Sequence, residues 1–222
     1  AIARLAGERG YDVCVNYTAS ADRAEAVAQD IRSHGQSAIA VQADVSKPDD
    51  IERLFAETDE GLGKVDVLVN NAAISIEVAI ADVDVDIMRS QIDTNLLGPM
   101  LTTRQAIRRM GTSRGGKGGV IVNISSISAL YGGLPTDVVY AGTKGGLDAF
   151  TIGIAKEVAP DGIRVCGIRP GLIKTEMWDN TVGQEGIVAM GQRGVPWGRV
   201  GEVEEIANAT LWMASPEASY VT

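Results

Sequence analysis

Apolar positions along this chain recur in two rhythms, one helical and one extended, that take turns from end to end. Ile2, Leu5 and Ala6 stand at helical spacing, in an amphipathic helix already under way at residue 1 and closed by Gly10. Residues 11–16 (YDVCVN) read as a strand and 20–34 as a helix that stops at Ser33-His34-Gly35. A strand at 38–42 (AIAVQ) leads to a helix over 48–60, opened by Pro48, whose missing N–H is no loss in a first turn. Val65 to Val69 is a strand rich in β-branched residues. A long helix over 84–110 and a glycine-rich turn at 115–119 precede the strand VIVNI at 120–124. A helix over 138–158, a strand at 163–168 (IRVCGI) and a helix over 202–214 complete the pattern.

Apolar strands separated by helices predict a parallel sheet covered on both faces. The fold class expected is therefore α/β, a doubly wound Rossmann-like sheet in a single domain over 1–222, with no repeat, linker or low-complexity tract. Such a fold normally opens with a strand and a glycine-rich turn that holds a pyrophosphate at a helix N-terminus. Here residue 1 already lies in the helix that follows such a turn, and Ser219-Tyr220-Val221-Thr222 reads as the approach to another strand. The first strand, the glycine-rich turn and the last strand are expected to lie outside the given residues.

Charge and composition narrow the partners. With 29 acidic against 20 basic residues the net charge is −9, which argues against a phosphate-tracking nucleic-acid surface. No apolar run approaches the roughly 18 residues that span a bilayer, and the first residues do not read as a signal peptide, so neither nucleic acid nor membrane is expected and the default compartment is the cytoplasm. Cys14 and Cys166 sit in apolar strand runs and read as small reduced core residues. His34 is the only histidine and stands at a helix end, which leaves no room for a histidine triad or a multi-histidine metal site.

Chemistry concentrates in a few places. Tyr140 and Lys144, in Tyr-Ala-Gly-Thr-Lys at a helix start, lie four apart and so share one helical face. A tyrosine has a pKa near 10, and lowering it by about three units requires roughly 4 kcal/mol. One ammonium at about 4 Å supplies that much at an effective dielectric of about 20. Taken alone, such a pair is also a common solvated helix face. Asn123-Ile124-Ser125-Ser126 ends an apolar strand in hydroxyls, at the strand end that faces the ligand crevice of an α/β sheet. A serine there suits stabilisation of a carbonyl oxygen that gains charge. Asn70-Asn71-Ala72-Ala73 ends another strand in small residues that let a flat cofactor approach the backbone, and Asn95 interrupts the long helix with a poor helix former. An ordinary turn or a solvated helix face would account for each of these singly.

Taken in order, Asn70-Asn71-Ala72-Ala73, Asn95, Ser126, Tyr140 with Lys144, and Arg169-Pro170-Gly171 resemble the short-chain dehydrogenases/reductases, in a sugar-dehydrogenase-like or 3-oxoacyl-reductase-like branch, over essentially the whole chain. The resemblance implies a four-member catalytic set. Tyr140 would be the general acid in reduction and base in oxidation. Lys144 would lower the tyrosine pKa and hold the nicotinamide ribose, Ser126 would polarise the substrate oxygen, and Asn95 would hold a water linking Lys144 to solvent. It also implies that Asp44 and Val45 contact the adenine, that Asn71 and Ala72 line the cofactor cleft, and that Pro170, Gly171, Ile173 and Thr175 face the nicotinamide carboxamide. Two departures stand out: Ala73 replaces the usual glycine, and Ser126 lies one residue further from Tyr140 than is common, which leaves Ser125 and Ser128 as alternatives.

No carboxylate stands at the tip Tyr17-Thr18-Ala19-Ser20, where an acidic residue would select NAD by repelling the extra phosphate of NADP. Tyr17, Thr18 and Ser20 offer hydroxyls and Arg23 follows one turn on, so NADP is favoured with NAD as the alternative. The segment 176–199, with Met177, Trp178, Met190 and Trp197 among five glycines, reads either as a mobile substrate lid or as a packed cover. The function expected is hydride transfer between NADP(H) or NAD(H) and a small carbonyl or alcohol substrate, in a homo-oligomer, tetramer or dimer. A non-catalytic dinucleotide-binding or regulatory protein on the same fold is the alternative; a sugar-nucleotide epimerase would need a further substrate domain, and a methyl transferase has no use for the Tyr/Lys pair.

Overall fold

The computed structural model describes residues 1–179 and 181–222. In chain order the elements are α1 (Ile2–Glu8), β1 (Val13–Tyr17), α2 (Ala21–Ser33), β2 (Ala38–Gln42), α3 (Pro48–Leu62), β3 (Val67–Asn70), α4 (Val85–Ile92) and α5 (Gly98–Met110). They continue with β4 (Gly119–Ile124), α6 (Ser128–Tyr131), α7 (Val138–Val158), β5 (Ile163–Ile168), α8 (Gly183–Gly194) and α9 (Val203–Ala214).

All strand pairs are parallel, as the apolar runs predict. The described strands form two sheets, β1-β2 and β3-β4-β5. In the first, Val13 pairs with Ala38; in the second, Val67 pairs with Val120, and Gly119 with Ile163. The edges of β1 and β3 both line one large cleft. Among these strands β4 is buried almost throughout, whereas every residue of β1 is half-buried. Cys14 accordingly is half-buried and Cys166 buried, and both are free thiols.

Helices cover both faces. Ile51 and Phe55 of α3, Ala106 and Met110 of α5, and Ala155 and Val158 of α7 pack on Ile121, Ile163 and Val165. On the opposite face Val120, Val122, Ile124 and Ile168 meet Ile2 of α1 and Ala209 and Met213 of α9. Alternation along β4 sends successive residues to opposite layers. The long helix read over 84–110 is present with a defect: residues Asp93–Leu97 form a single π turn between α4 and α5. Inside the lid segment a regular helix, α8, stands where the glycines suggested mobility.

Candidate active site

The site grows from the C-terminal ends of β3, β4 and β5 and the first turns of α7. At the end of β3 two adjacent asparagines part company. Asn70 is buried: its Nδ2 donates to Asn123 Oδ1 at 2.8 Å and its Oδ1 accepts from Thr102 Oγ1 at 2.6 Å. Asn123 in turn donates to Thr151 Oγ1 at 2.8 Å, so the network bolts β3 and β4 to α5 and α7. Asn71, one residue on, points the other way and lines the cleft with Ala72 and Ala73.

Ser125 and Ser126 separate in the same manner. Ser125 is buried and its hydroxyl donates to the Lys144 carbonyl at 3.3 Å. Ser126 lines the cleft, its Oγ accepts from Ser128 N at 3.1 Å, and its hydroxyl faces the Tyr140 phenol. Of the serines that sequence left open, Ser126 is thus the one placed to act together with Tyr140. Helix α7 puts Tyr140 and Lys144 on the same wall. Lys144 is only 2% exposed; its Nζ donates to the Ile124 carbonyl at 2.8 Å and lies 5.6 Å from the centre of the Tyr140 ring. Burial lowers its pKa to about 8, against a weaker upward pull from Asp148.

Burial pushes the Tyr140 phenol above its ordinary pKa, and the Asp137 and Tyr131 side chains push the same way, while Ser126 opposes them. Burial is the largest of these causes; the Lys144 ammonium meets the Ile124 carbonyl and the face of the ring.

Asn95 lies behind the wall, fully buried in the π turn. Its Oδ1 accepts from Ile74 N at 2.8 Å, and its Nδ2 donates to Ile74 O at 2.8 Å and Thr143 Oγ1 at 3.3 Å. The side chain therefore pins the loop after β3 and, through Thr143, the start of α7.

Of the expected cofactor contacts, Tyr17, Thr18, Val45, Asn71, Ala72, Pro170, Gly171, Ile173 and Thr175 line the cleft with Tyr140 and Lys144. Asp44 and Ser20 do not. The Asp44 carboxylate accepts from Ser46 N at 3.0 Å and Ser46 Oγ at 2.7 Å, which closes its own turn and leaves Val45 on the wall. Ser20 is exposed at the N-terminus of α2. Arg23 is held by Glu176 through contacts of 3.0 and 2.5 Å. In the lid, the Trp178 indole donates to the Ile173 carbonyl at 3.0 Å, so it packs the cover down, whereas Trp197 is 79% exposed. Among the described residues no group of three or more His, Cys, Asp or Glu is placed to hold a metal, and no helix is long and apolar enough to cross a membrane.

Comparison with known proteins bears directly on this arrangement. A family model described as Enoyl-(Acyl carrier protein) reductase matches residues 1–222. An uncharacterized oxidoreductase, YgfF, of Escherichia coli (strain K12) is 37% identical over 223 residues, covering 100% of this chain and 90% of that protein. A 3-oxoacyl-[acyl-carrier-protein] reductase of Synechocystis sp. is 35% identical over 96% of this chain and 83% of its own length. Among solved structures, a short chain dehydrogenase from Burkholderia cenocepacia in complex with NADP superposes with a TM-score of 0.90 at 27% identity, over 100% of this chain and 87% of the other. The chain belongs to the short-chain dehydrogenase/reductase family.

As a short-chain dehydrogenase/reductase it is an NAD(P)-dependent oxidoreductase, and the cleft fits a dinucleotide on its own evidence. The cleft runs along the C-terminal strand ends past Asn71, Ala72, Pro170 and Gly171. Gly98 sits so close to the chain that a Cβ there would lie 2.7 Å from the Val45 carbonyl, which keeps the wall thin beside Val45. Gly171 has open space where a side chain would stand. Sequence reasoning missed the Asn70–Asn123–Thr151 network and Gly98. Each depends on partners 28 or more positions away, a separation at which no local pattern carries a signal.

Proposed function

We propose that this short-chain dehydrogenase/reductase interconverts a small carbonyl compound and its alcohol, with NADP preferred over NAD, and that Tyr140 moves the proton. The observation that carries the reading is the joint placement of Ser126, Tyr140 and Lys144 on one wall of the cleft. When bound, the dinucleotide supplies or takes up the hydride. As a carbonyl carbon receives it, the oxygen gains negative charge, and the Ser126 hydroxyl and Tyr140 phenol are the donors placed to meet that oxygen. A phenol held above its ordinary pKa keeps its proton at neutral pH, which is the form required for reduction. Lys144 holds a cation beneath the ring and is placed to reach a ribose hydroxyl, and Asn95 acts from behind by holding Ile74 and Thr143.

The NADP preference is supported by the absence of a carboxylate between Tyr17 and Ser20 and by Tyr17 and Thr18 on the cleft wall. A homo-oligomer, dimer or tetramer, is supported by apolar side chains left exposed on the π turn and α7, with Leu97 38% and Ile152 55% exposed.

The test follows absorbance of NADPH, then NADH, with aldehydes, ketones and sugars, for the native protein and Tyr140→Phe. Turnover is expected with NADPH ahead of NADH, and a loss of on the order of 100-fold or more in the variant with dinucleotide binding retained. Equal turnover by the variant would remove Tyr140 from its role. Failure of the native protein to turn over any carbonyl would overturn the reading.

A further inference from the structure

Asp137 immediately precedes α7 and is its N-cap residue, yet its side chain makes no capping bond. Aspartate is among the best N-cap residues because its carboxylate satisfies the free N–H groups of the first turn. Asp84 does this for α4, accepting from Asp86 N at 2.7 Å. The Asp137 carboxylate instead turns toward the cleft, where it accepts only from the Ser75 hydroxyl, at 2.9 Å on Oδ1. The residue is 8% exposed and forms part of the cleft wall with Ser75, Glu77, Leu134 and Tyr140.

Oδ2 receives no hydrogen bond from any described residue, and among the described residues no fully buried side-chain atom lacks a partner, so this oxygen keeps some exposure on a residue that lines the cleft. The backbone supports the presentation. Thr136 has φ of 74°, a left-handed conformation that a β-branched residue adopts only under constraint, and its carbonyl accepts from Val78 N at 2.9 Å. Asp137 also acts on the Tyr140 phenol through its charge, which puts it in electrical reach of the reacting position.

Resting on the carbonyl-reductase reading, we propose that Asp137 determines substrate specificity: its free carboxylate oxygen accepts a hydrogen bond from a donor carried next to the reacting carbonyl. The preferred class is then a hydroxy-carbonyl, or its ammonium counterpart, over a plain ketone, and an anionic keto acid is repelled by Asp137 with Glu77 behind it. A bond from such a donor to a charged acceptor discriminates by about tenfold or more.

Four probes of nearly equal size isolate that contact: hydroxyacetone, aminoacetone, butanone and pyruvate. Steady-state kcat/KM is measured for each with NADPH on the native protein, Asp137→Asn, Asp137→Ala and Ser75→Ala. Hydroxyacetone or aminoacetone is expected to exceed butanone by about tenfold, with pyruvate below butanone; which of the two leads tells whether a hydroxyl or an ammonium is the donor. Both Asp137 variants are expected to bring the leading probe near butanone and to raise pyruvate. Ser75→Ala cuts the tie between the loop and α7 but leaves the carboxylate, so the probe ratios are expected to hold. Unchanged ratios in the Asp137 variants, or a Ser75→Ala variant that shifts them equally, would assign Asp137 a structural role and overturn the proposal. An enzyme that reduces larger plain carbonyls but none of these donors overturns this proposal alone; one that reduces no carbonyl overturns the parent reading with it.

Discussion

Lys144 occupies a position that few lysines tolerate: nearly sealed from water, with one carbonyl and one aromatic face for company. Burial lowers its pKa from 10.5 to about 8, so the folded state disfavours the charged form. Between those values the unfolded chain binds more protons than the folded one, and stability must rise with pH across that window. The contribution is complete above pH 10.5 and lost as pH falls through about 8. The gap between 10.5 and about 8, at about 1.4 kcal/mol per pH unit, is on the order of 3 kcal/mol. Lys144→Met removes this dependence. Urea unfolding at pH 7.5 and pH 10 is expected to show the native protein gaining on the variant by up to about that amount. The residue pairs Asn70/Asn71 and Ser125/Ser126 add a second lesson at this scale. Both pairs are legible as strand ends, but which member faces the cleft is decided by one step of backbone alternation and by distant partners such as Asn123 and Lys144.

At the scale of elements, the π turn at Asp93–Leu97 places Asn95 inward against Ile74 and delivers Gly98 against Val45. The sequence shows the anomaly, an asparagine in a long helix, but not the extra residue per turn that follows from it. Gly98→Ala would put a Cβ 2.7 Å from the Val45 carbonyl, a backbone atom that cannot swing away. We expect destabilisation of about 1–3 kcal/mol by denaturant unfolding. Gly142→Ala, in α7 with nothing within 4 Å of its added Cβ, is expected to raise stability by about 0.5–1 kcal/mol. A loss at Gly142 as large as that at Gly98 would discredit the steric argument. Helix α8 escaped the sequence reading because four of its residues are glycine, which left the segment open between a mobile lid and a packed cover. Two of its residues favour the cover: Ile187 is fully buried, and a Cβ on Gly191 would meet Val200 N at 2.8 Å. Gly191 is small because the chain packs against it.

The whole molecule is tied across its cleft by contacts between residues far apart in sequence. Arg109 Nε donates to the Asp59 carboxylate at 2.8 and 3.0 Å and its guanidinium lies 4.9 Å from the centre of the Phe55 ring. Arg9 reaches Asn208 at 2.7 Å, and Arg23 reaches Glu176 from the lid. These links join the β1-β2 half to the β3-β4-β5 half. Outside, Ile152 is 55% exposed on α7, an apolar side chain that the proposed homo-oligomer would cover. Ile152→Asp is expected to lower the oligomeric state measured by sedimentation while leaving the helical signal unchanged. A native protein that sediments as a monomer would refute the oligomer reading.

The sequence alone carried the alternation of helices and strands apart from α6, α8 and the break in the long helix, together with the parallel α/β class and the pairing of Tyr140 with Lys144 on one face. Each of these rests on local rules: apolar periodicity, β-branched runs, and a four-residue spacing that brings Tyr140 and Lys144 to one helical face. Tertiary structure alone decided what those residues experience. Whether a phenol rises or falls in pKa depends first on how deeply packing buries it and then on which neighbours face it, here Ser126, Asp137 and Tyr131. Whether an N-cap aspartate caps its helix or turns into the cleft is settled only on folding, which brings Ser75, 62 positions earlier, to its carboxylate. Burial, charge environment and side-chain direction are sums over neighbours that the chain brings together only on folding, and so they are written in the packing and not in any segment of the sequence.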